Sequence, residues 1–394
     1  MSSHEERGLF RALAKSLVVL ADPLAWNSSR IYRERAEPWF ADVASAVAGL
    51  EAGDLRESCQ ALIDDPGSVQ AYGRVLAADS TTGQSSSARK LLQAAWLAER
   101  NTRISYELGE GYTPDNDDVT LESLLALPRM DVAGGKQRRE TPEVTVVVPF
   151  RCREEDLSRV RNLLAGLISL SDQSLPRERY HVVVVESDTQ PRWAELIKEF
   201  ADEYLFAERD GKFNKSWVVN VGVVNSEQRS DVICILDADI LCDRDFLARG
   251  LRRMAHDGTG AHLPYRNLSC LDASSTSAAV TGRCATRSAG IDASALRRFV
   301  LRRPPGFCVW VRADVFRQIG GLDERYEGWG GEDDDFRYRV DHVTPLDHYD
   351  DPIWHMYHPA ASELVNGEIL NMQRIPPLSW SPTGPFGQLT GPRA

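Results

Sequence analysis

The chain has 394 residues, of which 42% are hydrophobic and 26% charged, with a net charge of −12. That length and balance describe one large or two ordinary globular domains and exclude a disordered or fibrous chain. The acidic surplus excludes broad attraction to nucleic acid or anionic membranes, so an anionic ligand must be held by local cations or a metal.

Seven cysteines form no Cys-x-x-Cys pair and read as scattered reduced thiols. No apolar run is as long as a membrane helix, and the short stretch Leu17–Ala21 lacks the flanks of a signal peptide. The expectation is a cytoplasmic protein with no stable membrane insertion and no nucleic-acid partner.

Residues 1–130 read as a helical accessory domain. Leu9, Leu13, Leu17 and Leu20 recur at helical spacing, and Lys90–Glu99 is rich in strong helix formers. The stretch Asp79–Ser87 between them has no apolar residue and reads as a loop. These helices suit homo-oligomer contacts or acceptor binding. Residues 131–143 are polar, Gly-bearing and Pro-terminated, which is linker composition.

A second domain is expected over 144–375, with an irregular Pro/Gly-rich tail over 376–394. It opens on Val144-Thr-Val-Val-Val-Pro149, a strand buried on both faces, followed by Phe150, Arg151 and Arg153. The strand Val182–Val185 ends in Glu186-Ser-Asp188. A third apolar run, Val232–Leu236, leads directly into Asp237-Ala238-Asp239. Strands alternating with helices predict an α/β fold, a doubly wound sheet flanked by helices. In such sheets ligands bind beyond the carboxyl ends of the strands, where all of these polar residues fall.

Each group has a plain and a functional reading. Asp237 and Asp239 are either a polar strand end or hard oxygen donors for a divalent cation. Arg151 and Arg153 are solvated arginines or partners for phosphate and ribose. Glu186 and Asp188 are surface carboxylates or acceptors for a base or ribose. Lys212-Phe213-Asn-Lys215 is a charged helix start or a phosphate contact. The run Gly328-Trp329-Gly330-Gly331-Glu332-Asp333-Asp334-Asp335 combines four adjacent carboxylates with an aromatic and paired glycines. An acidic helix N-terminus accounts for the last carboxylates through the helix dipole but leaves Trp-Gly-Gly unexplained. Glycines admit a ligand close to the backbone, an indole suits a sugar face, and a carboxylate there could deprotonate a hydroxyl. His355 and His358 supply imidazoles, which fit Mn²⁺ better than an all-oxygen Mg²⁺ site.

Taken together these residues resemble a GT-A glycosyltransferase of the β-1,4-galactosyltransferase or chondroitin-synthase-type group. Pro149-Phe150-Arg151-x-Arg153 is similar to that group's nucleotide segment. Phe213-Asn214-Lys215, with Asn220 and Gly222 behind it, is similar to its Phe-Asn-Arg segment, with Lys in place of Arg. Asp237-Ala238-Asp239 matches the Asp-x-Asp motif, and Gly328–Asp335 matches the acceptor and catalytic motif. His358 falls where a late metal-ligand His belongs, whereas His355 stands where the galactosyltransferases use Met. The resemblance covers about residues 144–360. It implies a GT-A-type mixed sheet and inverting transfer of a sugar from a nucleotide-sugar, first of all a UDP-sugar, to an acceptor hydroxyl. It further implies Asp239 and His358 on Mn²⁺ (or Mg²⁺), Asp237 near the ribose or sugar, Asp333 as base, and Glu332 and Trp329 orienting acceptor and sugar. The basic run Arg297-Arg298 and Arg302-Arg303 suggests a shaped acceptor site. Two rivals are a haloacid-dehalogenase-type phosphohydrolase, which also places Asp-x-Asp after a strand, and a non-catalytic nucleotide-sugar binding subunit. Glycine signatures of dinucleotide-binding and P-loop enzymes are absent from the sequence.

Overall fold

The computed structural model describes residues 3–78, 85–114, 116, 118–128, 141–153, 157–359, 369–382 and 384–389. Much of the stretch read as a linker, 131–140, lies outside the described residues, as do most of the loop over 79–87 and the last residues of the tail. The chain divides into two compact units that are not contiguous in sequence. The first comprises Met1–Asn116, Asn267–Ser275 and Ala293–Arg303, and the second holds the rest.

The first unit is mainly helical, from Ser3–Ala21 to Ser86–Asn101. The expected leucine stripe is real, with Leu13 and Leu17 fully buried. Beyond the helices, the strand Ile104–Leu108 pairs antiparallel with Arg297–Arg302, which pairs in turn with Asn267–Leu271. A buried charge cluster ties these pieces together: the Arg297 guanidinium meets Asp22, Asp272 (3.2 Å) and the Tyr106 hydroxyl (3.1 Å). Tyr112 donates to the same Asp272 at 2.9 Å. Arg302 pairs with Glu99, and Arg103 donates to the carbonyls of Arg302 and Arg303. Arg298 donates to the Ala293 carbonyl at 3.3 Å, so all four arginine positions in the basic run take part in the internal wiring of this unit.

The second unit is built on a seven-stranded mixed sheet in the order Leu346–His348, Ala261–Leu263, Cys308–Arg312, Val232–Leu236, Val144–Phe150, Tyr180–Glu186, Glu203–Phe206. The last four run parallel, while Cys308–Arg312 lies antiparallel to both of its neighbours. Every residue of Val144–Phe150, Tyr180–Glu186 and Val232–Leu236 is buried, as their unbroken apolar runs require. Each fully buried valine there contributes on the order of 1.5–3 kcal/mol. The helix Lys215–Asn225 packs on this sheet at Gly222, where a Cβ would meet Val147 at 2.5 Å and Val185 at 2.9 Å. The expected α/β sheet flanked by helices, with a helical N-terminal region, is thus what the chain forms. No described helix is long and apolar enough to cross a membrane, and the seven cysteines are buried free thiols.

In the middle of the strand Ala261–Leu263, His262 is fully buried, stacked on Trp310 (5.6 Å) and edge-on to Tyr349 (5.3 Å). Burial drives its pKa down from 6.5 to about 4. The unfolded chain therefore binds one more proton between those values, so this contribution is complete above pH 6.5 and is lost as pH falls towards 4. A shift of this size corresponds to about 3 kcal/mol. In urea titrations at pH 7 and pH 4.5, His262→Leu flattens the acid-side loss of stability relative to the unsubstituted chain. Parallel losses in the two proteins would show that other groups set the acid limb.

Candidate active site

The parallel strands reverse their winding between Val144–Phe150 and Val232–Leu236, since Tyr180–Glu186 lies on one side of the first and Val232–Leu236 on the other. The crevice beyond such a reversal is where open α/β sheets bind ligands. Here it is a cleft of 310 Å³ lined by Pro149, Phe150, Arg151, Cys152, Arg153, Arg159, Phe213, Lys215, Asp237, Ala238 and Asp239. Nine of these, all but Cys152 and Arg159, are motif residues brought together from three separate stretches of sequence, with Lys215 at the first turn of its helix.

Asp239 lies in the turn between Val232–Leu236 and the short strand Ile240–Leu241. That strand pairs antiparallel with Ile353–His355, in a register that sets His355 opposite Ile240. The Met356 amide donates to the Asp239 carbonyl at 2.9 Å, closing the same ladder. Pairing therefore delivers both imidazoles to one carboxylate: Asp239 Oδ2 is 2.9 Å from His358 Nε2 and 3.5 Å from His355 Nε2. One donor atom from each of the three lies within 4.8 Å of the others. Asp239 Oδ1 is buried with no hydrogen-bond partner. His358 Nδ1 sits 2.8 Å from the Pro359 carbonyl, a contact that turns Nε2 towards Asp239. An orphaned carboxylate oxygen beside two oriented imidazoles fits a divalent cation. Burial works against the Asp239 charge, but His355 and His358 hold its pKa well below the usual range. Asp239 in turn raises that of His355 against the effect of burial.

On the other side of the turn, Lys215 Nζ bridges two carboxylates, Asp237 at 2.8 Å and Asp333 at 3.1 Å. Burial raises the Asp237 pKa, as do Asp333 and Asp239, with Lys215 opposing. Asp333 opens the helix Glu332–Val343, which begins after Gly330 (φ 93°) and Gly331 (φ 98°), both in the left-handed region that favours glycine. The four acidic residues separate by role. Asp334 pairs with Arg337 at 3.3 Å, Asp335 with Arg339 at 2.8 Å, and Asp333 with Lys215. Glu332 is buried with one oxygen unpartnered, and burial, reinforced by the Asp333 carboxylate, pushes its pKa up to about 8. Trp329 stands half-buried in the turn before it.

Other expected contacts are occupied within the protein. Arg151 donates to the carbonyls of Ser187 (2.6 Å), Gly211 (2.8 Å) and Arg209 (2.9 Å). Arg153 pairs with Asp188 at 2.6 Å, and Asp188 also accepts from Arg192 at 2.8 Å. Glu186 is fully buried and accepts from the Tyr204 hydroxyl at 2.7 Å and from the Arg192 and Trp193 amides. These four residues line or underlie the cleft while bracing its loops.

Sequence reasoning missed the segment Pro304–Phe307. The Phe307 carbonyl accepts from the Asp237 amide at 2.9 Å, and its ring stands edge-on to His355 at 5.6 Å. Gly306 lies directly against Asp333. Pro-Pro-Gly before a strand is a turn signal that marks this place without revealing its neighbours. Arg159 was also missed: it lines the cleft and donates to the Pro359 carbonyl at 3.1 Å, next to His358.

Residues 145–320 match the family model described as glycosyl transferase family 2, and residues 305–344 match that of the N-terminal domain of galactosyltransferase. A Bacillus subtilis (strain 168) protein described as probable glycosyltransferase YdaM is 31% identical over 108 residues. That match takes in 26% of this chain and 24% of the relative, so the chain spans about a quarter of that protein's length. Among solved structures, the catalytic domain of Drosophila β1,4-galactosyltransferase 7 in complex with xylobiose aligns at 18% identity. The alignment covers 60% of this chain and 80% of that one, with a TM-score of 0.35. A mutant of the same enzyme, in complex with manganese, UDP-Gal and xylobiose, aligns at 18% identity over 57% of this chain and 77% of that one, with a TM-score of 0.34. TarS of S. aureus aligns at 13% identity over 55% of this chain and 37% of that one, with a TM-score of 0.39.

Proposed function

We propose that this chain, a glycosyltransferase by its family matches, is a metal-dependent inverting enzyme that moves a sugar from a nucleotide-sugar, first of all a UDP-sugar, to an acceptor hydroxyl. The observation behind this reading is the convergence at one strand end of Asp239, His355 and His358 on one side and Lys215, Asp237 and Asp333 on the other.

Asp239, His355 and His358 hold the divalent ion, the two imidazoles favouring Mn²⁺ over Mg²⁺. When bound, the ion offsets negative charge on the departing diphosphate. Lys215 and Arg159 add positive charge in an acidic protein, and Arg151 and Arg153 keep the cleft's loops in place together with Glu186 and Asp188. Pro149, Phe150 and Phe213 form apolar walls for the nucleotide, Ala238 keeps the turn narrow, and Asp237 faces the ribose or sugar. Trp329, with Gly330 and Gly331, receives the acceptor, and Glu332 orients it. Asp333 takes the proton from the acceptor hydroxyl as that oxygen attacks the anomeric carbon. The bond from that carbon to the diphosphate oxygen breaks as the new one forms, and in-line attack inverts the centre. The phosphohydrolase alternative has no counterpart for Trp329–Asp335 and is set aside by the family matches.

A nucleotide-sugar screen by thermal shift tests the donor reading, because a ligand that binds only the folded state raises Tm by mass action. At a concentration of about 100 Kd the stabilisation is about 2.7 kcal/mol. A UDP-sugar raises Tm with Mn²⁺ present and much less with a chelator. A shift that ignores the metal would remove metal dependence from the reading, and preference for another nucleotide would remove UDP.

A further inference from the structure

The segment Pro304–Phe307 touches Asp237, His355 and Asp333. Gly306 has no left-handed backbone, so its need for glycine is one of space: a Cβ there would lie 1.9 Å from Asp333 Oδ2 and 2.6 Å from its Cγ. Phe307, by contrast, holds φ at 76°, a region that is strained for a bulky residue and persists only where the surroundings enforce it. Enforcement is visible on both sides. The Phe307 carbonyl is bonded to the Asp237 amide, its ring lies against His355, and the chain then enters the strand Cys308–Arg312 beside Val232–Leu236. Beneath the segment, the buried Tyr265 hydroxyl donates to the carbonyls of Gly306 and, at 3.3 Å, Pro304.

We infer that Pro304–Phe307 is a strap that sets the distance between the acceptor-side base and the metal side of the site, with Gly306 and Tyr265 as positioning residues for Asp333. The inference rests on the reading of Asp333 as base. Gly306 leaves the volume into which the Asp333 carboxylate fits while it remains paired with Lys215. Tyr265 fixes the height of the strap from below. Neither residue contacts the reacting atoms; both act through the place they give to Asp333. Displacing a reacting group by about 1 Å costs on the order of 10²-fold in rate.

The test compares Gly306→Ala and Tyr265→Phe with Asp333→Asn in the full chain, measuring kcat, Mn²⁺-dependent UDP affinity by calorimetry, and Tm. Gly306→Ala lowers kcat by about 10²-fold and Tyr265→Phe by roughly tenfold, with UDP affinity within about threefold of the original in both. A crystal structure of Gly306→Ala shows Lys215 Nζ and Asp333 separated beyond 3.1 Å. The inference is overturned if kcat stays within twofold in both variants, if UDP affinity falls in step with kcat, or if the Lys215–Asp333 pair is unmoved. Tyr265→Phe keeps the test decisive should Gly306→Ala fail to fold. Full turnover by Asp333→Asn would instead refute the base assignment itself, whatever the strap variants do.

Discussion

Asp333→Asn lowers kcat by about 10³-fold while leaving Mn²⁺-dependent UDP binding nearly intact. General-base catalysis is typically worth 10²–10⁴-fold, and the amide keeps the shape of the carboxylate but cannot accept the proton. Retained binding follows from the geometry, because Asp333 is paired with Lys215, which keeps its second partner Asp237 at 2.8 Å. The neighbouring Glu332→Gln has a smaller effect, since burial and Asp333 already keep that carboxyl protonated near neutral pH. The product's anomeric configuration, read by NMR, gives an independent check: inversion is expected. A retained α configuration would reassign Asp333 regardless of the kinetics.

Asp239→Asn weakens Mn²⁺ binding by roughly 10²-fold or more, a scale that loss of even supporting groups around a metal can reach. His358→Ala follows closely, because that imidazole is the nearer of the two at 2.9 Å and is oriented through Pro359. His355→Ala, at 3.5 Å, reports whether the second imidazole also ligates. Affinity also depends on pH with a definite sign. Asp239 raises the His355 pKa, so its imidazolium persists to higher pH than a free histidine, and the ion must displace that proton. Affinity therefore climbs with pH through and above the ordinary histidine range, and the slope diminishes in His355→Ala. Calorimetric titration of Mn²⁺ at several pH values measures both effects. A flat profile in the unsubstituted chain would remove His355 from the ligand set.

The parts of the site legible in the sequence are those held in short contiguous runs. Val232–Asp239 announces both its strand and its strand end, because buried apolar residues and charges cannot share one layer. Trp329–Asp335 is readable because a turn, an aromatic and a helix start follow one another directly. The late histidines could be paired with Asp239 only through resemblance, and it took the register of Ile353–His355 on Ile240–Leu241 to supply a physical cause. What stayed hidden depends on neighbours distant in sequence. Nothing around Arg151 indicates that its guanidinium is committed to carbonyls at 209 and 211. Gly306 looks like an ordinary turn glycine until Asp333 is found against it. The basic run 297–303 invites an acceptor role because its acidic partners, Asp22 and Glu99, lie 275 and 203 residues earlier.

That buried arginine has a consequence for how such a protein could arise. The N-terminal helices are not a module that a single fusion event could append, because two strands of their unit are encoded between Asp239 and Trp329. A chain joined after Asn116 would carry Asp22 without Arg297, and without Arg297–Arg302 the strand Ile104–Leu108 loses the partner it pairs with. The first unit is therefore complete only when its three stretches of sequence are present together.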